Sequence, residues 1–139
     1  MTRPVKRYVE IGALLGVAAL FSGFAVAQEV LGPLTFTSPQ VAGGRANYAS
    51  KCAKCHGSDL EGGAGPALTS GAMDGYFSGP VGNLADFLHA SMPQDEPGTL
   101  TPEETATLIA FIASRNERAA GPVALPSDHA ALSKMGFNQ

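Results

Sequence analysis

The sequence predicts a small all-α fold with long Gly-rich loops. Three observations carry that reading. Gly44, Tyr48, Cys52 and Cys55 recur at helical spacing, Thr101-Pro102-Glu103-Glu104 opens a second apolar periodic stretch, and eight glycines between Gly57 and Gly82 separate the two. At 139 residues the chain fits one domain.

Taken in order, the chain begins with Arg3, Lys6 and Arg7 ahead of an uncharged apolar run over residues 11–27 that ends in Ala25-Val26-Ala27. Basic start, apolar run and small-residue cleavage site read as a secretory signal peptide cut before Gln28. The alternative is an uncleaved membrane anchor over residues 1–27, since this run sits at the lower edge of a membrane span. Residues 28–139 then hold 6 Lys plus Arg against 11 Asp plus Glu, a net charge of −5. That balance argues against a nucleic-acid partner, which wants a basic face, and hints at docking surfaces carrying some positive charge. Residues 28–41 are rich in Gly, Pro, Thr and Ser without a period and read as a linker or wrapping arm.

Helical spacing starts near Ala42, which opens a predicted domain over residues 42–118. Gly44, Tyr48, Cys52 and Cys55 share one face of the first helix. Tyr48 reads as ordinary core packing. Gly44 lowers helix propensity, and a close approach by another helix is the compensation expected. This helix leads into Cys52-Ala53-Lys54-Cys55-His56. Two thiols three positions apart with a His directly after the second form the pattern that attaches a c-type haem, each Cys adding to one vinyl group while the imidazole reaches the iron. A thiol-disulfide couple would not need the His. A zinc site would need four ligands, and His89 and His129 lie far from the pair. The haem reading uses both cysteines, so no disulfide is expected, and it agrees with export into an oxidising compartment. A domain of this size buries only about two-thirds of its unfolded surface; the porphyrin faces would supply much of the missing core.

After His56 the Gly-rich stretch holds no nucleotide-binding pattern. Within it, Gly65-Pro66-Ala67-Leu68 could present a carbonyl, at Pro66, to the outer nitrogen of His56, which a ligating His needs to fix its tautomer; a plain turn at Pro66 is the competing reading. Asn83 is a good N-cap for a short helix carrying Leu84, Phe87 and Leu88 on one side. The helix stops near Ser91, because Pro93 disfavours helical geometry in the residue before it. Met92 is thereby held in extended backbone just past a helix end, 36 residues beyond His56, enough chain to cross to the opposite haem face. It is the predicted sixth ligand, with Met73 and His89 as alternatives and a buried core Met as the ordinary fate of the residue. His89 reads as a partly exposed side chain near the haem edge.

Asp95-Glu96-Pro97-Gly98 is a turn. Thr101, Pro102 and Glu104 then combine an N-cap, a first-turn Pro and a capping box, and the helix they start runs to about Arg115 with Ala106, Leu108, Ile109, Ile112 and Ala113 as its buried stripe and Phe111 beside it. The tail, residues 119–139, has one or two helical turns at residues 128–132 and either wraps the domain or is ordered on a partner. His129 reads as a surface residue.

These residues resemble the mono-haem class I cytochromes c. The resemblance rests on Gly44, Tyr48, Cys52, Cys55 and His56, on residues 65–68, on Met92-Pro93 and on Leu108-Ile109-Ala110-Phe111. It implies first and last helices crossing around a covalently attached haem through Gly44, Tyr48 and Phe111, with iron ligands at His56 and Met92. Residues 59–63, the Met92-Pro93 segment with Pro97-Gly98 and residues 100–104, and Leu125-Pro126 are more loosely similar to small cytochromes c associated with quinoprotein dehydrogenases.

With both axial positions filled by protein, one-electron transfer is the chemistry left, and no enzymatic activity is expected. The expected role is a periplasmic carrier between a dehydrogenase or other respiratory donor and a downstream acceptor, with redox proteins as partners and a membrane contact only if residues 1–27 are retained. The alternatives are a haem subunit anchored in a larger membrane respiratory or photosynthetic complex, and a gas-binding or peroxide-reducing haem protein. Lys51 and Lys54 flank the haem edge expected to meet partners.

Overall fold

A computed structural model describes residues 30–137; the signal peptide or anchor expected over residues 1–27 lies outside them. Six α-helices carry the described chain, joined by one 3₁₀ turn and a two-stranded ribbon: β1 (Gly32–Pro33), α1 (Ser38–Lys51), α2 (Ala53–His56), a 3₁₀ turn (Ser70–Met73), α3 (Asp74–Phe77), α4 (Val81–Ser91), α5 (Pro102–Arg115), α6 (His129–Leu132) and β2 (Met135–Gly136).

The first helix starts earlier than its spacing suggested. Thr37 caps it, its hydroxyl accepting from the Gln40 amide at 3.4 Å while Gln40 Oε1 accepts from the Thr37 amide at 3.1 Å, and Pro39 sits in the first turn. Residues 38–41 are thus its opening turn rather than linker. Gln40 also reaches across the molecule, donating to the Leu125 carbonyl at 2.8 Å and accepting from the Leu125 amide at 2.9 Å.

Gly44 is the point at which α1 lies on α5. A Cβ there would come within 1.9 Å of the Thr107 carbonyl oxygen and 2.8 Å of Phe111 Cβ, so only a hydrogen lets the two backbones approach. One turn on, the Tyr48 ring meets Phe111 at 5.3 Å between centroids. The expected stripe of α5 is buried, together with Thr105, Ala110 and Phe111, and its capping box forms as read, Thr101 Oγ1 accepting from the Glu104 amide at 3.1 Å.

Two elements depart from the sequence reading. α4 begins at Val81 with Pro80 as its N-cap, not at Asn83, which is exposed in the first turn. Pro80 holds extended dihedrals of −60° and 145° without a side-chain cap, and starting there puts fully buried Val81 in line with Leu84, Ala85 and Leu88. The Gly-rich stretch is also more structured than its composition suggested: Met73 and Phe77 are buried there, in the 3₁₀ turn and α3, despite Gly71 and Gly75.

Of the two fates open to the tail, wrapping is the one observed. Asp128 caps α6, Leu125 and Leu132 are buried, and β2 pairs in parallel with β1, Gly32 opposite Met135 and Pro33 opposite Gly136. Phe137 closes the belt against Phe77 at 4.5 Å between ring centroids, and Arg118 covers the Phe77 ring at 4.4 Å.

Candidate haem site

Helix α1 ends at Cys52, whose N–H still donates to the Tyr48 carbonyl at 2.8 Å. The chain then makes the single turn α2, so the four residues from Ala53 to His56 rise together and both thiols leave from one short arc. Cys52 and Cys55 are free and half-buried. Burial pushes the Cys52 thiol up to about 11, which keeps it protonated at neutral pH.

The carbonyls at the end of this arc would be orphaned without partners, and residues 57–68 return to supply them. Gly65 donates to the Cys55 carbonyl at 2.8 Å and Gly62 to the His56 carbonyl at 2.8 Å. The Tyr48 hydroxyl donates to the Gly57 carbonyl at 2.6 Å, so this tyrosine anchors the chain immediately past His56 as well as packing in the core. Burial, aided by nearby negative charge, pushes its phenol up to about 12. From the far side, buried Asn116 at the end of α5 donates to the Leu68 carbonyl at 2.9 Å.

His56 is buried. Its Nδ1 lies 2.8 Å from the Pro66 carbonyl oxygen, the contact expected from Gly65-Pro66. A carbonyl only accepts, so Nδ1 carries the proton and Nε2 is left with a lone pair for a metal. Gly65 seats this ring: a Cβ there would lie 2.8, 3.0 and 3.2 Å from Cε1, Nδ1 and Nε2 of His56. In the sequence Gly65 counted only as one glycine of the Gly-rich stretch; the fold shows that it faces the imidazole.

On the other side of the sequence, α4 stops where Pro93 required. Met92 has extended dihedrals of −128° and 145°, with its N–H on the Leu88 carbonyl at 3.0 Å. Its side chain is half-buried against the core, whereas Met73 is 2% exposed within it. His89, one turn before, is exposed with Nδ1 3.3 Å from the Leu100 carbonyl. Its partner in the protein is thus backbone. His129 is at the surface as expected, 3.0 Å from Asp86.

The lysines that flank the thiols are not free. Lys51 meets Glu104 at 2.6 Å, and Lys54 pairs with Asp95. The Lys51 hydrogen bond, with help from the Thr101 amide, holds the Glu104 carboxyl below the usual range; that from Lys54 does the same to Asp95, and Lys54 is raised in turn. Both pairings join residues more than 40 positions apart, which local sequence patterns do not reach.

Two free thiols on one turn, an imidazole locked with Nε2 available, and a glycine that makes room for its ring fit the attachment of a c-type haem. Comparison with known proteins agrees. The family described as "Cytochrome C oxidase, cbb3-type, subunit III" matches residues 39–112. The chain belongs to this family of class I c-type cytochromes. Among solved structures it is similar to a chain of the sulfane dehydrogenase SoxCD from Paracoccus pantotrophus, with 27% identity and a TM-score of 0.50. The similarity covers 77% of this chain and 56% of that one, so the protein spans little more than half of that structure's length. No curated protein matches. The mono-haem cytochrome c with an all-α fold and a covalently bound c-type haem, expected from the sequence, is therefore what the chain is.

Proposed function

We propose that this cytochrome is an exported, periplasmic one-electron carrier whose iron is held by His56 and Met92 and whose haem is anchored through Cys52 and Cys55. The observation that carries the reading is the locked imidazole, with Nδ1 committed to the Pro66 carbonyl and Nε2 the ring nitrogen that remains. Met92 suits the opposite position because it leaves α4 in extended backbone with its thioether only half-buried, while Met73 is committed to the core. A haem with both axial sites filled supplies one-electron exchange and offers no coordination site to a substrate. The protein's part is to hold the ring, exclude water from its faces and present an edge to a dehydrogenase or other respiratory donor and then to an acceptor.

Optical spectra of the ferrous protein with and without carbon monoxide test the ligand assignment. Met92→Ala should keep the haem attached and bind carbon monoxide readily where the parent protein does not. Identical spectra for the two proteins would overturn it.

A second reading, a haem subunit working inside a larger complex, is favoured by the matched family's description as an oxidase subunit and by the partial coverage of the dehydrogenase chain. Among the described residues no helix is long and apolar enough to cross a membrane. Mass spectrometry of the purified protein separates the two: a mature chain starting at Gln28 supports the carrier, and retention of residues 1–27 supports the anchored subunit.

A further inference from the structure

Lys54 lies between the two cysteines of the attachment motif, and Asp95 lies three residues past Met92. Their ion pair therefore joins the segment that carries His56 to the segment that carries Met92. Residues 94–99 are all exposed. Their hydrogen bonds are local: Glu96 donates to the Pro93 carbonyl at 3.0 Å, Gly98 to the His89 carbonyl at 3.0 Å, and Thr99 Oγ1 to the Glu96 carbonyl at 2.7 Å. Each of these holds the loop to itself or to α4. Among the described residues, Lys54–Asp95 is the one hydrogen bond or ion pair that ties residues 92–99 to the haem-attachment arc.

We infer that Lys54 and Asp95 are positioning residues for the Met92 side of the site, closing the loop after Met92 onto the covalently fixed arc. The inference rests on the proposal that Met92 ligates the iron. An exposed ion pair contributes little to global stability, but a loop with so few inward ties opens at low free-energy cost, and there a weak contact shifts the population measurably. Anchoring favours the pair further. Thioethers at Cys52 and Cys55 immobilise the backbone on both sides of Lys54, so less freedom is lost when its side chain is held. Salt should loosen this closure, because both partners are solvent-facing and screened.

The test uses the full ferric haem protein and imidazole as a probe that competes for the Met92 position. Asp95→Asn should take up imidazole about two- to five-fold faster than the parent protein. Raising salt from low to high should speed the parent by a similar factor and leave the variant unchanged. A charge-swapped protein, Lys54→Asp with Asp95→Lys, should return to the parent rate and regain the salt response. Equal rates for parent and Asp95→Asn, or an undiminished salt response in that variant, would overturn the inference. Amide exchange at Gly98 gives a readout independent of the iron, and it should quicken by the same factor in Asp95→Asn. If Met92→Ala fails to open the iron, the ligand assignment falls while Gly98 exchange still decides whether the ion pair closes the loop; unchanged exchange there would sink it.

Discussion

The two segments proposed to supply the axial ligands are held in different ways. Around His56, the carbonyls of Cys55, His56 and Gly57 each have a donor within 2.8 Å, the imidazole has Pro66, and the returning loop is fastened again by Asn116. Around Met92, the segment is extended, its loop is exposed, and its inward polar tie is a surface ion pair. One side is over-determined and the other lightly held. Covalent attachment falls on the rigid side, where two thiols and an imidazole must keep one geometry. Under the proposed ligation, the Met92 side is the one expected to open, since few contacts are lost when it does.

The sharpest way to break the rigid side lies outside it. Gly44→Ala would drive a methyl group against the Thr107 carbonyl oxygen, where backbone on both helices must move; a loss of about 3 kcal/mol in chemical denaturation is expected. A wild-type midpoint in that variant would mean that α1 and α5 do not meet so closely. Gly65→Ala acts next, displacing the His56 ring and weakening its bond to Pro66. Its expected cost is about 1–2 kcal/mol, accompanied by a changed ferrous absorption spectrum with both thioethers intact. An unaltered spectrum would contradict the seating of the imidazole by Gly65.

The smallest effect sharpens the comparison at the Lys51–Glu104 pair, which braces α1 against the start of α5. The Glu104 carboxyl is held below its ordinary value of 4.5, first by Lys51 and then by the Thr101 amide. A lowered carboxylate stabilises the folded state above its unfolded pKa, and that contribution fades as pH falls through the lower folded value. Glu104→Gln retains a capping-box side chain and removes the charge, so it should cost about 0.5 kcal/mol at neutral pH and nothing in acid below both values. A pH-independent difference between the two proteins would assign the effect to the cap rather than to Lys51.

Much of this site could be read from short stretches. The Cys-x-x-Cys-His arc, the Gly65-Pro66 carbonyl, the stop of α4 before Pro93 and the capping box at Thr101 all act over a few residues, where covalent geometry and local hydrogen bonding dominate. The start of α1 was equally local, since Thr37, Pro39 and Gln40 repeat the logic of Thr101, Pro102 and Glu104; the surrounding Gly and Pro content masked it. Asn83 misled in the opposite direction: a good cap residue lost to Pro80 because burying Val81 favours the longer helix.

By itself, then, the sequence determined the haem-attachment chemistry, the two helices that frame it and the extended backbone at Met92. The tertiary structure alone decided that Gly65 touches the His56 ring, that Lys51 and Lys54 are spoken for by Glu104 and Asp95, and that the tail wraps back to pair β2 with β1. The reason is range. Propensity and capping are fixed by neighbours along the chain, whereas the seat of the His56 ring on Gly65 depends on how the intervening loop folds back, and the pairings of Lys51 and Lys54 exist only after packing has brought separate elements together.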